Sequence, residues 1–375
     1  MTDIAFMRLA LRLARRGYGR TSPNPMVGAV VVKGGKILGR GWHHRAGEPH
    51  AEIEALRDAA KNRRETKGAT LYVTLEPCCT HGRTPPCTDA IIAAGIRRVV
   101  VGATDPNPQH AGRGFDILTR AGIAVVPGVL AEDCARLNEA FNHWIVHRTP
   151  LVTVKAAMTL DGKIATASGE SKWITGERAR AYGMKLRQGS DAILVGINTV
   201  LADDPSLTAR TGGRAAAHPL RRIILDSRAR TPLTAKVVTD DQSRLTTIVV
   251  SEQAPKKRVT ALAKKVHVLT AALAKSSSPL TRHPSLDLGW LLKNLGESGV
   301  SSLLVEGGGE VNASFLLGGL ARRVAFFYAP KILGGRDSRK AVAGEGARSL
   351  SEALALADLR WQTLGPDLLL TARVL

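Results

Sequence analysis

The sequence is poor in aromatic residues and cysteines, and it has no long run of apolar residues. Aromatic side chains make up 4% of the 375 residues, which leaves few platforms on which single-stranded nucleic acid could stack. Four cysteines are too few for a disulfide framework in so long a chain, so we expect a reducing compartment, the cytoplasm. The lack of an extended apolar segment argues against a transmembrane helix and a secretory signal. We therefore expect a soluble protein, and its length predicts two domains.

Acidic residues are also scarce relative to basic ones. The formal net charge is +21, with 21 Lys and Arg against 13 Asp and Glu in residues 1–150, and 32 against 19 in residues 151–375. An excess spread over both halves could attract nucleic acid, but it also attracts small phosphorylated molecules. Because stacking platforms are few, we predict a small phosphorylated substrate, no nucleic acid and no membrane partner. Simple solubility is the alternative explanation of the charge.

What the chain does contain is a set of metal-ligand residues with a carboxylate beside them. His50 lies two residues before Glu52, and Cys78 and Cys87 each follow a proline. One His and two Cys, with a fourth position left for water, are typical of a catalytic zinc site. A glutamate at this spacing can move a proton of that water without binding the metal, as in zinc-dependent base deaminases. The pattern predicts hydrolytic loss of ammonia from a ring amine, with one Zn²⁺ per chain.

Each part of this motif also has a less specific explanation. His-x-Glu alone occurs by chance in many chains, and two cysteines could be buried thiols or a redox site. Cys79 and His81 are close to Cys78 in the sequence and could contribute to the zinc site. We prefer Cys78 because it shares the Pro-Cys context of Cys87. We expect Cys87 in the first turn of a helix, where the helix dipole favours a thiolate.

Hydrophobic patterns alternate between short strands and helices along the whole chain, which is typical of α/β folds. The pattern restarts with a new strand at Leu151, so we predict one domain at residues 1–147 and a second at residues 150–375. In the second domain we expect a largely parallel sheet with antiparallel pairing at its C-terminal end. The predicted strands are 28–33, 37–42, 70–75, 98–102, 123–127, 151–157, 191–195, 222–226, 246–250, 265–269, 301–305, 323–329 and 367–374. The predicted helices are 3–16, 50–61, 87–94, 112–121, 130–146, 176–188, 255–264, 287–298 and 310–318.

A glycine turn and a polar cluster carry the chemistry expected of the second half. Gly307-Gly308-Gly309 lies between a predicted strand and a predicted helix, where backbone N–H groups and the helix dipole could hold a diphosphate. The spacing is not that of the Rossmann fold, and a plain tight turn is the alternative. Asp203, Asp204 and Arg210 follow another strand, at the sheet edge where α/β proteins bind ligands. A helix end and turn is the alternative for the two aspartates.

Together these residues resemble the bifunctional deaminase/reductase family of riboflavin biosynthesis over essentially the whole chain. The long spacing between Cys78 and Cys87 is the most specific feature, because many other base deaminases separate these cysteines by only two residues. Some family members have a single cysteine where this chain has Cys78 and Cys79. This difference bears only on which of the two sulfurs would bind the zinc. The matching segments are 23–28, 47–52, 74–78, 81–87, 105–108, 158–163, 167–175, 203–205 and 306–309.

The resemblance implies a cytidine-deaminase-like three-layer domain followed by a dihydrofolate-reductase-like α/β domain that uses NADPH, in a homodimer. It implies that the first domain deaminates a diaminohydroxypyrimidine carrying a phosphoribosylamino group, and that the second reduces the ribose to ribitol. The implied NADPH-binding residues are Ala157, Trp173, Thr199, Ser227, Gly308, Gly309, Glu310, Val311, Asn312, Ala313 and Ser314. The implied substrate-binding residues are Asn24, Ser171, Arg187, Asp203, Leu207, Arg210 and Glu306.

Two other functions are compatible with parts of the sequence. A tRNA base deaminase with a basic accessory domain would explain the zinc motif and the charge, but not the cysteine spacing, the low aromatic content or the glycine turn. A structural zinc module supporting an oxidoreductase would explain the ligands. It would leave Glu52 without a purpose, because a closed structural site has no use for a general acid or base.

Overall fold

The structure, a computed structural model, describes residues 2–81, 85–108, 110–211, 214–215, 219–273 and 286–375. The chain divides into two compact units, Met1–Arg148 and Thr149–Leu375. Among the described residues, no helix combines the length and the apolar character that a membrane span requires.

The first unit is an α/β layer structure around one five-stranded sheet. Its strands are β1 (Gly28–Lys33), β2 (Lys36–Trp42), β3 (Thr70–Leu75), β4 (Arg98–Ala103) and β5 (Ala124–Val126). Its helices are α1 (Asp3–Ala14), α2 (Ala51–Lys61), α3 (Cys87–Ala93), α4 (Arg113–Arg120), α5 (Ala131–Leu137) and α6 (Glu139–His147). The strand order is β2-β1-β3-β4-β5, and β1 is antiparallel to both of its neighbours whereas β3, β4 and β5 are parallel.

Glycines show that helices cover both faces of this sheet. A Cβ added to Gly28 on β1 would overlap the backbone of α1, and one added to Gly41 on β2 would overlap the backbone of α2. Gly41 pairs with Ala29, the residue next to Gly28, so the two glycines face opposite sides of the pleated sheet. The three-layer arrangement predicted for this half is therefore confirmed.

One predicted helix of this unit is wrong in its extent. Residues 130–146 form two helices rather than one, with Asn138 between α5 and α6. The Asn138 side chain accepts a hydrogen bond from the Met26 backbone N–H at 2.8 Å and donates one to the Met26 carbonyl at 2.9 Å. This tertiary pairing holds Asn138 in a non-helical conformation, with φ of −111°, and no local sequence pattern announces it.

The second unit contains a nine-stranded mixed sheet. Its strands and those of two small sheets are β6 (Leu151–Thr159), β7 (Lys163–Ala165), β8 (Ala192–Gly196), β9 (Arg210–Thr211), β10 (Arg214–Ala215), β11 (Arg221–Leu225), β12 (Thr246–Ser251), β13 (His267–Ala271), β14 (Ser302–Val305), β15 (Arg323–Ala329), β16 (Arg339–Lys340), β17 (Leu356–Leu364) and β18 (Asp367–Val374). The helices are α7 (Glu177–Gln188), α8 (Ile197–Asp203), α9 (Lys236–Thr239), α10 (Lys256–Ala263), α11 (Leu288–Glu297) and α12 (Gly309–Leu316).

The large sheet has the order β13-β12-β11-β8-β14-β6-β15-β18-β17. Pairing is parallel from β13 to β15 and antiparallel from β15 through β18 to β17, as predicted. Among the described residues, the elements that were not predicted are the strands β7, β9, β10, β16 and β17 and the helices α8 and α9.

The strands β8 and β14 are neighbours whose following helices pack on opposite faces of the sheet. Ile197 and Val200 of α8 join the core cluster that contains Ile193 and Val195 of β8. Phe315 of α12 and its neighbours join a different cluster, with the alternate residues of β8. Where consecutive crossovers leave a parallel sheet toward opposite faces, a crevice opens at the carboxyl ends of the strands. The glycine turn and the Asp203 segment both lie at this edge.

Candidate functional site

Three predicted metal ligands converge in the first unit. His50 is the N-cap of α2, Cys87 is the first residue of α3, and Cys78 lies on the segment that follows β3. The Nδ1 atom of His50 lies 3.3 Å from the Cys87 sulfur and 3.4 Å from the Cys78 sulfur. On a tetrahedral zinc with bonds of about 2.0 Å to nitrogen and 2.3 Å to sulfur, these atoms would lie about 3.5 Å apart. The three residues therefore fit a zinc ion, and their cluster includes neither Cys79 nor His81.

The neighbouring groups stabilise a thiolate at Cys78. A hydrogen bond from the Cys87 thiol, aided by the His50 imidazole and the Cys87 backbone amide, lowers the pKa of Cys78 to about 4 against the effect of burial. The same hydrogen bond and burial raise the pKa of Cys87. One of the two adjacent sulfurs keeps its proton unless a cation neutralises both, so this donor set suits a divalent metal.

Glu52 lies in the first turn of α2, two residues after the predicted ligand His50. Its side chain is almost fully buried, with 3% of the residue exposed. Burial, reinforced by the negative charge of Cys78, raises the pKa of Glu52 to about 7. A carboxyl group in this place can gain and lose a proton beside the metal centre without being a ligand.

Two of the predicted metal ligands, His50 and Cys78, and Glu52 face a cavity of about 230 Å³, whereas Cys87 is buried behind them. It is lined by Asn24, Pro25, Val27, His43, His50, Glu52, Leu75, Glu76, Cys78, Thr80, Asp105, Asn107, His110 and Phe141. The predicted substrate residue Asn24 therefore shares one cavity with Glu52, His50 and Cys78.

His43 fixes the orientation of Asn24. The Nδ1 atom of His43 lies 3.1 Å from the Pro49 carbonyl oxygen, and the amide nitrogen of Asn24 lies 3.1 Å from His43 Nε2. Because the carbonyl can only accept, Nδ1 carries the proton and Nε2 accepts from Asn24. Burial also lowers the pKa of His43, which favours this neutral form. His43 is not among the predicted site residues, and no spacing pattern marks it.

In the second unit, the glycine turn joins β14 to α12. Gly308 is the N-cap of α12, and a Cβ added to it would meet nothing within 4 Å. A Cβ on Gly309 would lie 2.4 Å from the Lys340 carbonyl oxygen, so this glycine is required by packing of the chain itself. Asn312 and Ala313 are buried, and Asn312 donates to the Ala341 carbonyl at 2.8 Å. The open part of the predicted cradle is therefore the backbone at Gly308 and the exposed start of α12.

The other predicted NADPH residues are spread along the same sheet edge. Ala157 lies near the end of β6, Thr199 lies in α8, and Ser227 follows β11. Trp173 is 66% exposed, and the Arg180 guanidinium lies 4.6 Å from the centre of its ring. The strands β6, β14, β8 and β11 are consecutive in the sheet, so these residues extend across about 15 Å at roughly 4.8 Å per strand.

Two predicted substrate residues, Arg187 and Glu306, bind each other. The Arg187 guanidinium donates to both carboxylate oxygens of Glu306, at 2.8 and 3.0 Å, and to the Thr208 carbonyl at 3.1 Å. Lys155, which the sequence analysis missed, lies 3.4 Å from the same carboxylate. Although burial opposes ionisation, the charges of Lys155 and Arg187 lower the pKa of Glu306 to about 2.

The remaining predicted substrate residues lie on and after α8 and before α7. Asp203 ends α8 and pairs with Lys172 at 3.1 Å. Asp204 is the C-cap of that helix, with a φ of 40°. The backbone at the two aspartates therefore forms the helix end and turn that the sequence analysis gave as the alternative. Ser171 is half-buried beside Lys172, and Leu207 is buried. Arg210 begins β9, but its side chain lies outside the part that the structure describes.

Comparison with known proteins matches both halves of the chain. The family model of the RibD C-terminal domain matches residues 150–370, and that of the cytidine and deoxycytidylate deaminase zinc-binding region matches residues 1–103. The riboflavin biosynthesis protein RibD of Actinobacillus pleuropneumoniae is 45% identical over 372 residues, covering 99% of this chain and 95% of that protein. RibD of Escherichia coli is 40% identical over 374 residues and covers 99% of each chain.

Solved structures of RibD proteins are similar to this chain over its full length. RibD of Acinetobacter baumannii, form 1, has a TM-score of 0.85 at 36% identity and covers 100% of this chain and 99% of its own. A diaminohydroxyphosphoribosylaminopyrimidine deaminase/5-amino-6-(5-phosphoribosylamino)uracil reductase from Thermotoga maritima has a TM-score of 0.83 at 37% identity, with coverage of 100% and 99%. The two-unit α/β architecture and the order of its parts are thus shared with these proteins.

Proposed function

This chain belongs to the RibD family, and we propose that residues 1–147 are its deaminase domain and residues 150–375 its reductase domain. The protein is a bifunctional enzyme of riboflavin biosynthesis, a zinc-dependent deaminase and an NADPH-dependent reductase. Its substrate is a diaminohydroxypyrimidine that carries a phosphoribosylamino group. A tRNA base deaminase with an accessory domain is not favoured, since the relatives match both halves in one continuous chain.

In the deaminase domain, His50, Cys78 and Cys87 would hold the zinc. Bound zinc supplies a Lewis acid that promotes attack of water on the ring carbon bearing the amine. Glu52 takes one proton from the attacking water and passes it to the ring nitrogen. It then takes the remaining proton of the added hydroxyl and gives it to the amine, which leaves as ammonia while the ring carbonyl forms. Its burial beside the ligands and its place on the cavity wall support this role. Asn24, held in one orientation by His43, binds the substrate in the same cavity.

In the reductase domain, the backbone at the glycine turn and the start of α12 bind the diphosphate of NADPH. Ala157, Trp173, Thr199 and Ser227 contact the rest of the cofactor along the sheet edge. NADPH supplies the hydride, and the acceptor is the ribose carbon bonded to the ring amine, which becomes electrophilic when the sugar ring opens.

The substrate is held at the carboxyl ends of β8 and β14. We assign Ser171, Asp203, Leu207 and Glu306 to the ribose hydroxyls and the pyrimidine. Because Arg187 already binds Glu306 through two hydrogen bonds, it contributes its charge and holds the carboxylate in place. Arg210 is then the cation assigned to the substrate phosphate. Catalysis in this half comes mainly from orientation of substrate and cofactor.

The cellular compartment, oligomeric state and partners of the enzyme are also part of the proposal. We assign it to the cytoplasm, as a homodimer that acts on a small phosphorylated substrate without nucleic acid. The four free thiols, two of them ligands, suit a reducing compartment, and the basic surface attracts a phosphorylated substrate.

The observation that carries the proposed function is the cluster of His50, Cys78 and Cys87 beside a cavity that Glu52 lines. It occurs in a chain whose second half matches the RibD C-terminal domain. The test is incubation of the zinc-loaded full chain with the phosphoribosylaminopyrimidine, with and without NADPH, followed by mass analysis. Without NADPH the product should have lost the ring amine and gained the carbonyl oxygen. With NADPH it should also gain two hydrogens, and failure of either change would refute that half of the assignment.

A further inference from the structure

Glu76 is a buried carboxylate of the deaminase domain that the proposed chemistry does not use. It follows β3, lies two residues before the ligand Cys78, and lines the same cavity as Glu52. Only 5% of the residue is exposed. Burying a carboxylate is costly unless donors surround its oxygens, so the identity of those donors indicates what the residue does.

The donors are backbone amides of the connection between β4 and α4 and of the first turn of α4. One carboxylate oxygen of Glu76 accepts from the amides of Asp105 and Gly112, both at 3.1 Å, and the other accepts from Gly114 at 2.9 Å. The Glu76 amide itself donates to the Ala103 carbonyl at 2.9 Å, at the end of β4. The carboxylate thus ties together the two ends of the loop 104–112, of which the structure describes residues 104–108 and 110–112. It also accepts hydrogen bonds from N–H groups at the start of α4 that have no partner within the helix.

Glycine is required where α4 approaches this carboxylate. A Cβ on Gly114 would lie 2.5 Å from the Pro77 carbonyl oxygen and 3.1 Å from the carboxylate of Glu76. Gly112, the N-cap of α4, has a φ of 80° and no side chain with which to cap the helix. Glu76 therefore caps α4 from the segment that follows β3. Its carboxylate fits there only because residue 114 is a glycine.

The loop that Glu76 closes carries a polar wall of the cavity. Asp105, Asn107 and His110 all line it. The Asp105 carboxylate accepts from the Asn107 amide at 2.9 Å, which sets the turn at the start of the loop. His110 lines the cavity, and within the described part of the chain its buried Nδ1 atom has no hydrogen-bond partner.

We propose that Glu76 is a positioning residue of the deaminase, which fixes the loop 104–112 against the strand end that carries Cys78. Asn107 and His110 then face the metal centre at a fixed distance and bind the substrate across the cavity. This inference rests on the proposed deamination and adds the element that holds the substrate-binding wall in place.

Glu76→Gln tests the proposal in the full-length chain. The side chain keeps its size, but one acceptor oxygen becomes an N–H donor, so at least one of the three backbone amides loses its acceptor. We expect KM for deamination to rise about tenfold or more, kcat to change much less, and zinc content to stay at the wild-type level. Amide hydrogen exchange, followed by mass spectrometry, should become faster in the peptide that contains the loop 104–112.

Asp191→Asn is the matched control. Asp191 is buried in the reductase domain and accepts from the backbone amide and hydroxyl of Ser301, both at 2.7 Å, and from the Ser302 amide at 3.1 Å. The substitution therefore changes a buried, amide-bound carboxylate much as Glu76→Gln does, but in the reductase domain. KM for deamination and hydrogen exchange of the loop 104–112 should both remain at wild-type values.

Two results would overturn the proposal. Loss of zinc from Glu76→Gln would show that Glu76 supports the metal centre, and an unchanged KM despite faster loop exchange would show that the loop does not bind substrate. If Glu76→Gln does not fold, Glu76→Asp, which keeps both oxygens on a shorter side chain, is judged by the same criteria. A wild-type chain without deaminase activity would instead refute the proposed function, and loop exchange would still decide whether Glu76 fixes the loop.

Discussion

The buried carboxylate of Glu306 should make the second unit sensitive to acid, and Glu306→Gln should remove that sensitivity. Glu306 accepts two hydrogen bonds from Arg187 and lies 3.4 Å from Lys155. All three side chains are at most one-fifth exposed. Removing the negative charge leaves two cations without their partner in a poorly solvated place, which is among the more damaging changes that a single substitution can cause.

The pKa of Glu306 sets the size of the effect. The cations lower it from 4.5 to about 2 although burial opposes them, and at about 1.4 kcal/mol per unit this amounts to about 3 kcal/mol of stability at neutral pH. Because the folded-state pKa is the lower one, this stability is present above pH 4.5 and is lost as the pH falls toward 2. By pH 3 about 2 of those 3 kcal/mol are gone.

Stability should be measured in the second unit alone, because two domains need not unfold together. The free energy of unfolding of this unit can be obtained from amide hydrogen exchange at increasing urea concentrations, followed in peptides from β14 and α7. We expect Glu306→Gln to be less stable than wild type by about 3 to 5 kcal/mol at pH 6. The difference should narrow by about 2 kcal/mol at pH 3, since wild type is itself losing the ionised carboxylate.

Glu297→Gln is the control, because Glu297 is an exposed carboxylate at the end of α11. Its free energy of unfolding should stay within about 0.5 kcal/mol of wild type at every pH. A difference between Glu306→Gln and wild type that stays constant from pH 6 to pH 3 would refute the reasoning, because the two cations would then not be what keeps Glu306 ionised.

Three further predictions concern the two activities. Glu52→Gln should keep its zinc, by metal analysis, and release ammonia about a hundredfold more slowly or worse, whereas His50→Ala should lose the metal; zinc loss from Glu52→Gln would contradict its role. Asp203→Ala, which frees Lys172 at the sheet edge, should slow NADPH oxidation with already deaminated substrate but leave deamination unchanged; a wild-type oxidation rate would remove it from the site. A fragment of residues 1–147 should retain deaminase activity, because the first unit has its own sheet and core. A fragment that folds but is inactive would show that the second domain is needed for deamination.

The metal centre could be predicted from the sequence because its signal is local. His50 and Glu52 lie two residues apart, each cysteine follows a proline, and Cys87 begins a helix as its context indicates. The central strands were predicted for a similar reason, since buried parallel strands are short continuous apolar runs. The strand β17 escaped because most of its residues are exposed and a bulge between Ala357 and Arg360 interrupts the alternation.

Contacts between distant residues could not be predicted in this way. Arg187 and Glu306 are 119 residues apart, and the family resemblance implies that both bind substrate without indicating that they bind each other. Glu76 and Gly114 are separated by 38 residues, and Glu76 precedes the Pro-Cys pair that attracted the zinc assignment. Such pairs depend on which strands become neighbours, and that information is absent from spacing and composition.

The surroundings of two buried glutamates also limit what each half of the enzyme can do. Burial and a nearby thiolate raise the pKa of Glu52 to about 7, whereas two cations lower that of Glu306 to about 2. Glu306 therefore stays ionised at neutral pH and cannot donate a proton to the substrate. Any proton that reduction requires must come from another group or from solvent, so Glu306 can contribute only charge and hydrogen-bond acceptance. Such a role agrees with a reductase domain that works by orienting its substrate and cofactor.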